Sequence, residues 1–77
     1  MTRLTTVPAK KIVSILHHLG FKFIRQRGSH AYYKHPDGRG TVVPMHPGED
    51  VGKGLLREIL KSIDLSVEEY ETLRTRV

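Results

Sequence analysis

Two turn signals, Gly28-Ser29 and Asp37-Gly38, divide the middle of this chain into three short segments. Both dipeptides are hairpin signals, and Asp-Gly is the stronger of the two. Two of the segments, Phe21–Arg27 and Thr41–Pro44, flank a third, Ala31–Pro36, that carries two tyrosines. Strands this short, separated by turns this tight, must be antiparallel, because a parallel crossover needs a dozen or more residues. The middle of the chain therefore reads as a three-stranded antiparallel meander. It sets His30 just past the first turn, at the start of the middle strand. A side chain there is held by sheet backbone and can still meet solvent.

The flanks of the meander are helical by period. Ile12, Ile15, Leu16 and Leu19 recur at i, i+3, i+4 and i+7, with Val13 widening the stripe. Pro8 suits a first turn and Gly20 a C-terminal stop. Thr6 and Val7 compete as the N-cap, and Met1 to Val7 read as a loosely tied lead-in. His17 and His18 fall in the last turn, at an exposed helix end. A second helix begins near Gly52 or Lys53, with Leu55, Leu56, Ile59, Leu60 and Ile63 as its buried face. Lys53, Arg57 and Lys61 form a basic stripe on its outer side. Ser66 with Glu69 is a capping box, and Leu65 with Tyr70 has the spacing of a hydrophobic staple. That segment reads as a short, exposed C-terminal helix. The order helix, three strands, helix, short helix is an α+β two-layer domain.

Within the strands, period two puts Phe21, Phe23 and Arg25 on one face, with Lys22 opposite. In the middle strand Ala31 and Tyr33 are expected to pack on the helices. This leaves His30, Tyr32 and Lys34 in line on the open face.

A chain of 77 residues makes one domain, with no room for a deep substrate cavity. It has no cysteine, which excludes disulfides, thiolate metal sites and a thiol nucleophile, and fits a reducing compartment. No apolar run approaches the roughly 20 residues of a membrane span, and the N-terminus has no signal-peptide pattern, so a cytoplasmic protein is expected. The net charge of +5 fits either a plain basic surface or a polyanionic partner. Of the five histidines, His30 and His35 have opposite parity on one strand, and His17 and His18 diverge on a helix. No pair has metal-ligand spacing, and the acidic residues offer no carboxylate pair. What remains is a histidine acting alone or with one partner. RNA carries its own nucleophile, the 2′-hydroxyl, so a base and nearby positive charge suffice to cleave it. His30, with Arg25, Arg27, Lys34 and Lys53 available, supplies that kit.

Gly28-Ser29-His30 is preceded by Leu19-Gly20-Phe21 and followed by Pro44-Met45-His46-Pro47-Gly48 and Gly54-Leu55-Leu56-Arg57-Glu58-Ile59-Leu60. In this order these elements resemble the HicA toxin family, the small mRNA interferases of HicAB toxin–antitoxin modules. The resemblance runs from about Ala9 to Ile63, within a single HicA-like domain over residues 1–77. Residues 64–77, the capped C-terminal helix, lie outside it. It implies a fold like a double-stranded-RNA-binding domain, with a three-stranded sheet and two helices on one face. It implies metal-independent cleavage of mRNA, with no cofactor and no metal, and a HicB-type antitoxin partner. It also implies that His30 is the catalytic residue. Ser29, Lys34, Lys53, Arg57, His46 and Tyr32 are the candidates for RNA contact. Where the family often has Gly-Thr-Leu, this chain has Gly54-Leu55-Leu56. Two other readings stay open: a non-catalytic RNA-binding module of the same fold, and a protein-interaction domain whose basic face meets an acidic partner.

Overall fold

The Gly28-Ser29 turn is closed by the cross-strand pair Arg27 and His30, and this register organises the sheet. A computed structural model describes residues 3–77. Gly28 has φ +58° and Ser29 does not have positive φ, the pattern a II′ turn requires, with glycine first. Strand β1 is Lys22–Arg27, β2 is His30–Lys34 and β3 is Gly40–Pro44, paired antiparallel in that order. The second connection is wider than a two-residue turn. His35 N–H donates to the Arg39 carbonyl at 2.8 Å, so Pro36, Asp37 and Gly38 form a three-residue loop. Gly38, at φ +103°, takes the left-handed position that such loops end on.

Helices α1 (Ala9–His18), α2 (Lys53–Ser62) and α3 (Val67–Arg76) complete the chain. The architecture is the α+β fold of a double-stranded-RNA-binding domain, α-β-β-β-α, with a third helix appended. Helix α1 ends as its sequence requires: Gly20 takes φ +94°, Phe21 N–H reaches the Leu16 carbonyl at 2.9 Å and Gly20 N–H the His17 carbonyl at 3.1 Å. Its N-cap is Pro8, with no side-chain cap, rather than Thr6 or Val7. Helix α2 ends in the same way, but with Asp64 in the left-handed position at φ 57°. Leu65 N–H bonds the Leu60 carbonyl at 2.9 Å and Asp64 N–H the Lys61 carbonyl at 3.2 Å. Glycine holds this conformation without the Cβ penalty. Asp64→Gly should therefore raise stability by up to about 1 kcal/mol, the relieved left-handed strain less glycine's extra unfolded-state entropy, read from the urea midpoint.

Ala31, Tyr33, Thr41 and Val43 are buried beneath the helices, as the alternation of β2 and β3 demands. Both α1 and α2 pack on β3, and β1 projects beyond them as an exposed edge. Phe23 is accordingly half exposed, set edge-on to Tyr33 at 5.7 Å, although period two pairs it with the buried Phe21. Leu55 is also exposed, at the rim of the helical face whose buried stripe is Leu56, Ile59 and Leu60. Arg39 ties the β2–β3 loop to the helices. Its guanidinium donates to Asp37 Oδ2 and to the Ile63 carbonyl, and lies 5.1 Å over the Phe21 ring.

The two ends of the chain depart most from the sequence reading. The N-terminal segment is not a loose lead-in: Leu4 and Val7 are buried, and Val51 N–H bonds the Val7 carbonyl at 2.9 Å. Met1 and Thr2, the start of that segment, lie outside the described residues. Helix α3 has 10 residues, as many as α1 or α2. Its capping box forms as expected, with Glu69 N–H on Ser66 Oγ and Ser66 N–H on Glu69 Oε1. It packs on α1 and buries Tyr70 completely, so it belongs to the core rather than to the exposed surface.

Candidate functional site

The helices cover one face of the sheet and leave the other open. Cross-strand partners share a face, so the register assigns the open one directly. Arg27 lies opposite His30, and His30 opposite Pro44; Arg25 lies opposite Tyr32, and Tyr32 opposite Val42. Arg25, Arg27, His30, Tyr32 and Val42 line one shallow concavity of about 510 Å³.

Arg25 reaches this face because β1 is bulged. Phe23 pairs with Tyr33 and Arg25 with Tyr32, so Ile24 is an extra residue without a cross-strand partner. A bulge reverses the parity of everything after it. Period two alone puts Arg25 with Phe23; the bulge puts it with Tyr32 instead. Its guanidinium carbon stands 5.7 Å from the Tyr32 ring centroid, within cation–π range. Among the described residues the ion pairs are His35–Asp37, Arg39–Asp37 and Arg74–Glu71, so no carboxylate neutralises Arg25 or Arg27.

His30 is exposed, and among the described residues none hydrogen-bonds its imidazole. Its position is held by the backbone: the turn before it is pinned where Met45 N–H meets the Ser29 carbonyl at 2.6 Å. Ser29 is thus next to His30 but half buried in the turn. Lys34 shares the open face at the far end of β2, about 13 Å along the strand. Lys53 and Arg57 are exposed on α2, at the His30 end of the sheet but in the helical layer behind it. His46 lines a separate cavity of about 470 Å³ with Pro8, Ala9, Lys10 and Asp50. His46 also lines a smaller cavity with Pro44, the cross-strand partner of His30, while Lys53 and Arg57 stand on α2; His30 and Tyr32 share one concavity. Of the cations available to His30 by sequence, Arg25 and Arg27 join that concavity, together with Val42, which only the β2–β3 register reveals.

Among the described residues no group of three His, Asp or Glu side chains is arranged to hold a metal ion. No helix among them is long and apolar enough to cross a membrane.

Three antiparallel strands with helices on one face, presenting one histidine from a tight turn onto the open cationic face, make this an α+β domain of the double-stranded-RNA-binding type. The chain matches the family model for the HicA toxin of bacterial toxin-antitoxin systems over residues 9–65. It belongs to the HicA toxin family. No curated protein matches it.

Proposed function

We propose that this toxin is a metal-independent endoribonuclease that cleaves mRNA in the cytoplasm and is held inactive by a HicB-type antitoxin. The observation that carries this reading is His30, exposed at the start of β2 beside two guanidiniums that no carboxylate neutralises. Imidazole accepts and donates protons near neutral pH. In the proposed step His30 takes the proton of a 2′-hydroxyl. The 2′-oxygen bonds to phosphorus, the bond to the 5′-oxygen breaks, and that oxygen takes a proton from water as it leaves. The products are a 2′,3′-cyclic phosphate and a 5′-hydroxyl end. Arg25 and Arg27 offset the charge that grows on the phosphate oxygens. Ser29 shapes the turn, Tyr32 meets a base, and Lys34, Lys53, Arg57 and His46 supply charge or polar contact for the flanking RNA.

Incubation of the purified protein with mixed-sequence RNA in excess EDTA is the direct test. Fragments ending in 2′,3′-cyclic phosphate are expected; intact RNA under these conditions would sink the reading. One observation favours a non-catalytic RNA-binding module instead: no described side chain orients the His30 imidazole, as a partner of a general base commonly does. Salt-sensitive retention of RNA that stays intact is the result that reading requires.

A further inference from the structure

The open face is ordered in rows. Arg25, Tyr32 and Val42 form one row across the three strands, and Arg27, His30 and Pro44 form the next. The rows are two residues apart along each strand, about 7 Å, a distance that the backbone of one extended nucleotide spans. In the first row Tyr32 is half buried, with the Arg25 guanidinium carbon 5.7 Å from its ring centroid. The β3 residue beside the ring is Gly40. A Cβ there would come within 3.3 Å of Tyr32 Oη and 3.5 Å of the Tyr33 carbonyl, so glycine lets the tyrosine lie low across the sheet. Val42, on the other side, is 43% exposed although it is apolar and in mid-strand. The row is a flat strip made of a guanidinium, an aromatic ring and an aliphatic side chain. The second row is cationic and carries the imidazole.

We infer that this face is a platform for single-stranded RNA, with an unpaired base stacked on Tyr32 between Arg25 and Val42 and the adjoining phosphate between Arg27 and His30. Only the role of His30 rests on the ribonuclease reading. A base inside a duplex has both its faces covered by neighbours, so it cannot lie on Tyr32. Aromatic and guanidinium planes grip any unstacked base and give little sequence preference of their own. The basic stripe on α2 lies in the other layer. It attracts RNA of either kind through charge, without reading whether bases are paired.

The test is fluorescence anisotropy with a 2′-fluoro RNA oligonucleotide, which has no 2′-hydroxyl to react, as a single strand and annealed to its complement. The single strand is expected to bind at least about 10-fold tighter. Tyr32→Ala and Arg25→Ala should each weaken single-strand binding by about 5- to 100-fold, the range of one base stack. Tyr32→Phe should restore it, since the stacking plane is kept. Arg25→Lys should restore it only in part, since charge returns without the plane. Lys53→Ala should weaken single strand and duplex alike by a few-fold, with a shallower salt slope. Equal binding of duplex and single strand, or a Tyr32→Ala variant that binds as the wild type does with an unchanged circular-dichroism spectrum, would overturn the platform. Cleavage is scored separately on unmodified RNA. The expected binding pattern without cleavage supports the platform and overturns the ribonuclease reading; cleavage without that pattern overturns the platform alone.

Discussion

Replacing His30 with alanine is expected to lower RNA cleavage by at least about 10²-fold while the protein stays folded. A positioned acid or base contributes about 10²- to 10⁴-fold, and no other histidine shares the concavity. The structural cost should be small. His30 is exposed, its imidazole makes no hydrogen bond to any described residue, and it packs in no buried cluster. Exposed positions of this kind change stability by about 0.5 kcal/mol or less. The comparison is therefore clean: matched thermal melts, with product release from a labelled RNA followed for both proteins. A His30→Ala protein that cleaves at the wild-type rate would show that another group does the chemistry. A parallel His46→Ala variant is expected to keep most of its rate, because His46 does not line the concavity that holds His30.

The largest effect on stability is expected at Tyr70, outside the part of the chain that carries the family match. Its ring is fully buried between α3 and the N-terminal segment, and its hydroxyl donates to the Thr5 carbonyl. Thr5 is gripped a second time by Glu71, which accepts from its N–H at 2.7 Å and its hydroxyl at 3.1 Å. Tyr70→Ala should cost about 3–5 kcal/mol, most of the stability of a domain this small. Tyr70→Phe should cost about 1–2 kcal/mol, the lost hydrogen bond together with a carbonyl left unpaired.

The pH dependence has a definite sign at each end. Burial, helped by the Glu71 charge, pushes the Tyr70 hydroxyl up from 10.0 to about 12. Between those values the unfolded chain has lost the phenolic proton and the folded chain keeps it, so stability falls as pH rises from 10 towards 12. Tyr70→Phe should flatten that fall in urea titrations, leaving a smaller part from Tyr33, which burial also raises. At the acid end, burial would raise the Glu71 carboxyl, but hydrogen bonds from Thr5 and Arg74 outweigh it and hold the group below its ordinary 4.5. Its contribution is present above that value and is lost as pH falls below it. An alkaline limb that is identical in wild type and Tyr70→Phe would refute the assignment.

Much of this fold is local in origin and so is legible along the chain. The Gly28-Ser29 turn, the Gly20 helix stop and the Ser66–Glu69 capping box each depend on a few neighbouring residues, and each forms as its residues demand. The burial of Ala31 and Tyr33 follows from alternation once the face of β2 is chosen. His30 was legible for the same reason, since a tight turn and a strand start place it without help from distant residues.

The departures from local pattern share a cause, which is partners far away in sequence. The segment before Pro8 has no periodicity to mark it as core; Leu4 and Val7 are buried because α3 and the residues near Val51 close over it. Helix α3 looks exposed by composition, since one tyrosine carries nearly all of its burial. Phe23 and Leu55 look buried by period, yet Phe23 lies on the uncovered edge strand and Leu55 at the rim of its helix's buried stripe. The bulge at Ile24 is the most consequential of these. No residue in Phe23-Ile24-Arg25 announces it, because a bulge satisfies the register of the facing strand rather than a local preference. By itself the sequence determined the order of elements, the turns and the histidine they present, all set by short-range backbone preference and hydrophobic period. Only the tertiary structure decided that the bulge turns Arg25, and the β2–β3 register Val42, onto that histidine's face, because strand pairing and layer packing are settled between residues distant in sequence, where no local pattern can record them.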